Sequence, residues 1–296
     1  MKATALILCV CAFFLCGPAV ADVVIKTVPD WNQPDFYAPG TAGLNVGDYP
    51  NWCSPTAASA LMGYWEDQLA CAGLTDRQVG LGASAPYPNP VNPMTYQQGL
   101  WHDGVVELGW FMDTGGWKTA GGPFPPRGIG NTILANISPG AQTYARTAWL
   151  DPGGLQKVAF PNAVAIRDNN LATMFATYKA EIDAGRPVLV SWTGWVNLAM
   201  GFNTVSVDGV DVQVYNQLQN VSEGHTTCGV GYRDNPAVQG DELIIVQDNW
   251  FQTGQYVGVS PGSGFWSQND YVTIPEPATL VLLALGGLAI LRRRHR

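Results

Sequence analysis

The sequence predicts an α+β fold in which helices come first along the chain and antiparallel strands come last. Two segments, 55–72 and 170–184, repeat apolar residues at the spacing of a helix. From residue 187 onward the chain changes to short apolar runs separated by Gly, Pro and Asp-Gly, a pattern typical of strands and their turns.

The first helix is predicted over 55–72. Ser54 is a suitable N-cap, and Pro55 stands at the first helical position, where its missing N–H costs nothing. Gly73 is placed to end the helix. The apolar face of this helix comprises Ala58, Leu61, Met62, Trp65 and Leu69.

The remaining elements follow from the same patterns. A second helix over 170–184 carries one apolar face, and 96–111 is a weaker helical candidate. Gly and Pro predict loops over 80–93 and 115–126, whereas 140–162 has no clear assignment. Strands are predicted at 187–192, 205–207, 210–215, 226–232, 242–247, 256–259 and 271–274, with a hairpin turn at Asp208-Gly209.

The N-terminal residues have the layout of a secretory signal peptide. Lys2 gives a small positive region, an apolar run follows over 5–15, and Ala19-Val20-Ala21 forms a small-x-small cleavage site. We expect residues 1–21 to be removed by signal peptidase. The alternative, a transmembrane helix, disagrees with the short length of the run. Residues 22–47 are rich in Pro, Gly and Asn and are predicted to form an irregular leader.

The C-terminal residues 275–296 combine Pro275-Glu276-Pro277, an apolar run over 278–291 and an arginine cluster. As a helix the run spans roughly 21 Å, which a thinned bilayer can accommodate. This order closely resembles the PEP-CTERM sorting signal of Gram-negative bacteria, although a plain tail anchor is the alternative. The resemblance implies a transient inner-membrane anchor, cleavage near the tripeptide by an exosortase-type enzyme, and delivery to the cell surface or matrix.

The charge of the chain argues against nucleic-acid binding. The formal net charge is −8, and removal of residues 1–21 and of the tail after Pro277 leaves ten basic against 23 acidic residues, or about −13. With 34 Gly, 21 Pro and only 13% charged residues, we expect a loop-rich extracellular body. Its roughly 250 residues allow one large domain or two small ones. No Cys/His pattern for zinc is visible, and no cofactor or metal is expected.

Three cysteines remain after signal cleavage: Cys53, Cys71 and Cys228. All three could be buried small hydrophobic residues. Cys53 differs because it immediately precedes a helix, whose N-terminus favours the thiolate and so predicts a lowered pKa and a nucleophilic sulfur. If Cys53 and His225 touch, chain geometry keeps Cys71 and Cys228 too far apart for a disulfide.

Two further segments supply the partners that such a nucleophile needs. His225 opens the strand Gly224-His225-Thr226-Thr227-Cys228-Gly229-Val230-Gly231-Tyr232, and Asp248-Asn249-Trp250 directly follows the strand 242–247. An imidazole can act as the general base, and a carboxylate or amide on the neighbouring strand can orient it. His102 has no comparable pattern around it.

These three motifs, in this order, resemble the papain-like cysteine peptidases, in particular the branch of bacteriocin-processing peptidases. The segment 181–190, with Gly185-Arg186-Pro187 between helix and strand, is similar to the same branch. The resemblance implies a papain-like domain over 48–274, in which an N-terminal nucleophile helix packs on a C-terminal antiparallel sheet. It implies Cys53 as nucleophile, His225 as general base and Asp248 as the orienting residue, with Asn249 as the less favoured orienting candidate.

Two departures leave the activity open. Ser54 stands where the branch usually has Gly, and Gln33 is the only Gln between Asp22 and the nucleophile, although the branch usually has one several residues upstream. Asn51 and Asn45 are possible substitutes as oxyanion donors. The sequence therefore predicts a thiol hydrolase, most simply a peptidase acting on peptides or proteins. A cell-wall peptide amidase, a catalytically inactive surface or matrix binding module, and an unrelated structural surface protein are the alternatives.

Overall fold

One large β-sheet organises the computed structural model, which describes residues 21–30, 52–69, 74, 108–120, 131–150, 156–235, 238, 240–250 and 253–275. The helices in these ranges are α1 (Cys53–Gln68), α2 (Trp117–Ala120), α3 (Leu134–Arg146) and α4 (Met174–Asp183), and residues 108–111 are also helical. The strands are β1 (Ala21–Val24), β2 (Trp149–Leu150), β3 (Gln156–Lys157), β4 (Val164–Asp168), β5 (Val188–Val196), β6 (Phe202–Val207), β7 (Val210–Tyr215), β8 (Leu218–Asp234), β9 (Leu243–Gln247), β10 (Val257–Val259) and β11 (Trp266–Thr273).

The sheet has nine strands within the described residues, in the order β4-β11-β5-β8-β9-β10-β7-β6, and β1 pairs with β8 in addition. Neighbouring strands are antiparallel except β7 and β10, which are parallel. Strands β2 and β3 form a separate small ladder. The predicted α+β class, with its C-terminal antiparallel sheet, is confirmed.

Both faces of the sheet are covered by helices. Alternate residues of a strand point to opposite faces, and Ile245 packs with α1 and α3 whereas its neighbours Ile244 and Val246 pack with α4. The long strand β8 lies at the centre of this arrangement. Helix α1 is thereby held against β8 and β5 in the middle of the sheet.

Helix α1 begins two residues earlier than the sequence predicts. Cys53 is its first residue, Trp52 precedes it as N-cap, and Leu69 closes it. The Trp52 carbonyl oxygen accepts the first hydrogen bond of the helix, from the amide of Thr56, and also accepts from the Thr56 hydroxyl. Ser54 is therefore inside the helix, where its hydroxyl is available for a contact across the helix–sheet interface.

Helix α3 lies in the stretch that the sequence left largely unassigned. Its Pro139-Gly140 pair is unfavourable inside a helix and conceals the periodicity of Ile137, Ala141 and Tyr144, which are fully buried. Gly140 is required by packing, since a Cβ there would lie 2.6 Å from the side chain of Met112. Tertiary contact stabilises a helix that local propensity does not.

The predicted hairpin is confirmed, whereas the predicted leader is partly ordered. Strands β6 and β7 pair through Val207 and Val210, and Asp208 and Gly209 both have positive φ, as the tight turn requires. Residues 22–24, expected to be irregular, instead belong to β1. Its β-branched residues Val23 and Val24 suit a strand beside β8, and Val24 is buried there.

Several predictions fall outside the described residues. They concern the signal peptide up to residue 20, most of the leader, the loop 80–93, most of the candidate helix 96–111, and the tail from residue 276. Part of the loop predicted over 115–126 is helical, in α2 and the 3₁₀ turn Thr114–Gly116. Among the described helices, none is long and apolar enough to cross a membrane.

Candidate active site

Cys53 occupies the first position of α1, and its sulfur contacts the strand that carries His225. The amide N–H and the hydroxyl of Thr226 both act as hydrogen-bond donors toward this sulfur. The hydroxyl of Ser54 lies 4.0 Å from it. The fold therefore brings the thiol to the residue that directly follows His225.

Burial raises the pKa of the Cys53 thiol, and the donors on Thr226 and Ser54 offset this only in part. The low pKa expected from the helix N-terminus is wrong for this structure. Removing a thiolate from water costs more than a helix terminus and a few hydrogen bonds return. The sulfur is therefore protonated at neutral pH, and a nucleophilic role for it requires a base.

Ser54 points into the interface between α1 and the sheet. It is 3% exposed, and its hydroxyl donates to the hydroxyl of Thr226 over 2.8 Å. The Thr226 hydroxyl is in turn 3.2 Å from that of Ser191 on β5. This chain of three hydroxyl groups joins helix α1 to the neighbouring strands β8 and β5.

His225 is held between two tryptophans. Its ring lies 4.6 Å from that of Trp195 and 5.1 Å from that of Trp250, measured between centroids. Nε2 is 2.8 Å from the carbonyl oxygen of Asp248. A carbonyl can only accept, so Nε2 carries the proton and Nδ1 is left as the basic nitrogen.

Burial lowers the pKa of His225 to about 4, with the Asp248 carbonyl acting in the opposite direction. The imidazole is thus neutral at pH 7. A neutral imidazole with a basic Nδ1 is the form that can accept a proton from a thiol.

Asp248 contacts the histidine through its backbone. The carboxylate is turned elsewhere, and its Oδ1 accepts from the amide of Trp250 over 3.1 Å and from the hydroxyl of Thr253 over 2.5 Å. Burial raises the pKa of Asp248 to about 7 in spite of these donors. The sequence predicts that the side chain of Asp248 meets the imidazole, whereas in the structure its backbone carbonyl oxygen makes the hydrogen bond to Nε2.

Asn249 connects helix α1 to strand β8, which carries His225. Cys228 pairs with Gln247, so the same register would place Asn249 opposite Thr226. The backbone of Asn249 leaves the ladder with φ of 65°, and its side-chain amide donates instead to the carbonyl oxygens of Thr226, over 3.1 Å, and Cys53, over 3.4 Å. This amide contacts the backbone of Cys53 instead of the imidazole.

Other residues singled out in the sequence are distributed as follows. Cys228 is a fully buried thiol, and within the described chain it forms no disulfide. Cys71, His102 and the candidate oxyanion donors Asn45 and Asn51 lie outside the described residues. The described residues contain no group of three His, Cys, Asp or Glu side chains suited to a metal ion.

Sequence reasoning missed Thr226, Ser191 and Trp195. Thr226 could have been found, because it follows His225 and so must lie near any group that His225 serves. Ser191 and Trp195 come from a distant strand, and only the register between β5 and β8 brings them to the site.

A thiol at the start of a helix, with an imidazole on the adjoining strand of an antiparallel sheet, defines the class of papain-like α+β proteins. The chain belongs to the Peptidase_C39-like family, whose model matches residues 25–274. This confirms the resemblance drawn from the sequence. Residues 273–296 match the PEP-CTERM protein-sorting motif, which indicates export and sorting to the cell envelope of a Gram-negative bacterium.

Comparisons with individual proteins add little to the family assignment. No curated protein sequence matches the chain. The solved structure of active wild-type Prevotella intermedia interpain A cysteine protease is similar at 14% identity, over 87% of this chain and 95% of that one, with a TM-score of 0.32. The fold assignment rests on the family and on the architecture itself.

Proposed function

We propose that this protein is an exported cysteine peptidase in which Cys53 is the nucleophile, His225 the general base and Asp248 the orienting residue. The observation that carries the proposal is the hydrogen bond from Nε2 of His225 to the carbonyl oxygen of Asp248. It leaves Nδ1 as the base, on the residue next to the one that contacts the Cys53 sulfur.

The raised pKa of the thiol and the lowered pKa of the imidazole determine the order of events. Thiol and imidazole are both neutral at rest, so the proton leaves the sulfur for Nδ1 as the sulfur attacks the peptide carbonyl. The imidazolium then protonates the leaving amine, and a thioester forms on Cys53. Water, deprotonated by His225, hydrolyses the thioester and restores the thiol.

The oxyanion formed during the attack requires a donor. Asn51, which closely precedes α1 in the sequence, is our first candidate, and Asn45 is the second. One such donor contributes about 2.7–4 kcal/mol to stabilisation of the transition state. Replacement of the true donor by Ala is therefore expected to lower kcat strongly while KM changes little.

We further propose the processing of the chain. Residues 1–21 are the signal peptide, 22–47 a leader, 48–274 the peptidase-like domain and 275–296 the sorting segment. Signal peptidase removes the first segment, and the last anchors the protein transiently in the inner membrane until an exosortase-type enzyme cleaves it. The product is then released to the cell surface or the extracellular matrix.

A catalytically inactive binding module is the second candidate, and one observation favours it. The raised pKa of Cys53 makes the resting sulfur a poor nucleophile, so the reaction depends wholly on His225. A cell-wall peptide amidase would use the same three residues, and only its substrate would differ.

Digestion of a peptide library, read by mass spectrometry, tests the proposal. We expect cleavage products that vanish in Cys53→Ala and in His225→Ala. Cys228→Ala is the matched control, since it removes a buried thiol from the same strand as His225 and should leave cleavage intact. Cleavage that persists without Cys53, or no cleavage of peptides or cell-wall fragments by the wild type, would overturn it.

A further inference from the structure

Trp195 packs directly against the imidazole of His225, although the two residues are not paired in the sheet. The register pairs His225 with Trp192, and the ladder between β5 and β8 is irregular between Trp192 and Gly194. Beyond this irregularity the Trp195 ring lies 4.6 Å from that of His225, with the planes inclined by 51°. The indole is fully buried.

Two buried polar atoms accompany this contact. Nε1 of Trp195 and Oδ2 of Asp248 both lack a hydrogen bond of normal length within the described part of the chain. The indole N–H nevertheless acts on the carboxylate, and it is one of the donors that hold the pKa of Asp248 down, after Thr253 and Trp250. An indole N–H only donates and a carboxylate only accepts, so the two atoms are complementary.

Leaving polar groups buried without a hydrogen bond destabilises a fold, and such groups require an explanation. Here both atoms belong to residues that contact the imidazole of His225. Trp195 packs on the ring, and Asp248 holds its Nε2. The three residues form one unit.

We propose that Trp195 is a positioning residue of this site, which holds the imidazole of His225 with its ring and stabilises the anionic form of Asp248 with its indole N–H. The proposal rests on the function proposed above for Cys53 and His225. On this proposal, the indole N–H of Trp195 determines whether a proton is held by Asp248 or by His225.

The physical reason is the charge that develops during reaction. When Nδ1 takes the proton of Cys53, the imidazolium is stabilised by a negative carboxylate nearby and much less by a neutral carboxyl group. Two other titratable groups interact with Asp248: Asp30 opposes its ionisation, and Tyr215 on β7 has its own pKa raised by the charge of Asp248. Trp195 acts against Asp30, because its N–H favours the anion.

Difference infrared spectroscopy of the full chain in mild detergent measures the ionisation of Asp248 directly. The carboxyl band is assigned by its loss in Asp248→Asn and is followed against pH. Trp195→Phe keeps an aromatic ring and removes the N–H, so the midpoint of the band should move up by about one pH unit. Trp192→Phe is the matched control, since its indole N–H donates to Thr227 in the same cluster, and it should leave the midpoint unchanged.

A second substitution guards against a loss of packing in Trp195→Phe, which near-UV circular dichroism would reveal. Benzothienylalanine at position 195 keeps the shape of the indole and replaces only its N–H by sulfur, and the same upward shift is expected. An unchanged midpoint in a folded protein carrying either substitution would overturn the proposal.

The outcome does not depend on peptidase activity, since the band is measured without substrate. A shifted midpoint in a protein that cleaves nothing would support the role of Trp195 and would count against the proposed function. A shift of the same size in Trp192→Phe would show a general effect of the aromatic cluster and would contradict a specific role of Trp195.

Discussion

The hydroxyl of Ser54 donates a 2.8 Å hydrogen bond to the hydroxyl of Thr226, 172 residues further along the chain. Both side chains are buried, and Thr226 directly follows His225. The bond therefore joins the first turn of α1 to the strand that carries the imidazole. Ser54, which stands where the bacteriocin-processing branch usually has Gly, therefore helps to align helix α1 with strand β8.

Replacement of Ser54 by Ala should lower the free energy of unfolding by about 1–2 kcal/mol, because a buried hydrogen bond is lost. It should also lower kcat/KM, since the thiol and the imidazole lose one of the contacts that align them. Urea denaturation and peptide cleavage measure the two effects. Ser206→Ala, at an exposed position on β6, is the control and should stay within about 0.5 kcal/mol of the wild type.

Asn249 combines a side-chain role with an unusual backbone conformation, and two substitutions separate them. Asn249→Gly accepts the φ of 65° and loses only the amide that donates to Cys53 and Thr226, at a cost of about 1–3 kcal/mol. Asn249→Ala loses the amide and also strains the backbone, so it should be less stable than Asn249→Gly by about 1 kcal/mol. Equal stabilities in urea would show that the backbone is not held in this conformation.

The opposite pKa shifts of His225 and Asp248 predict that their contributions to stability cancel over part of the pH range. The pKa of His225 falls from 6.5 to about 4 on folding, so its contribution is present above pH 6.5 and is lost as the pH falls toward 4. The pKa of Asp248 rises from 3.8 to about 7, so its contribution is present below pH 3.8 and is lost as the pH rises toward 7. Between about pH 4 and 6.5 the pair holds one proton in both states and contributes little slope.

Replacing one residue of the pair should reveal the contribution of the other to the pH dependence of stability. Urea denaturation as a function of pH measures it. Relative to the wild type, Asp248→Asn should lose stability on acidification from pH 6.5 to 4, and His225→Gln should lose it on raising the pH from 4 to 7. The limiting slope is about 1.4 kcal/mol per pH unit. Asp270, whose pKa burial raises to about 6, is common to all variants and cancels in the differences. Parallel curves for all three proteins would contradict the pKa shifts.

Gly231 tests the unexpected strand β1. A Cβ at this position would lie 2.4 Å from the backbone oxygen of Val23, so Gly231→Ala must push β1 away from β8. We expect a loss of about 1–3 kcal/mol in stability and faster proteolysis of the first residues after Ala21. Gly262→Ala is the control, because its Cβ would meet nothing nearer than 3.7 Å. Unchanged proteolysis in Gly231→Ala would mean that β1 does not depend on this close contact.

Elements with strong local patterns could be predicted from the sequence. The strands β5, β7 and β9 were found because they are continuous or alternating apolar runs, and the β6–β7 hairpin because Asp208-Gly209 permits positive φ. Helix α3 and strand β1 were missed because their stability comes from contacts with distant residues: Met112 beside Gly140, and Gly231 beside Val23.

The sequence by itself determined the family, the α+β class, and the three segments that carry Cys53, His225 and Asp248. Motif order and residue type can be recognised in the sequence alone, without knowledge of the fold. Tertiary structure decided what each group does there. Burial raised the pKa of the thiol against the helix N-terminus, the backbone of Asp248 rather than its carboxylate met the ring, and the register of β5 placed Trp195 on His225. Desolvation and strand register depend on the whole packed chain, and no short stretch of sequence encodes either one.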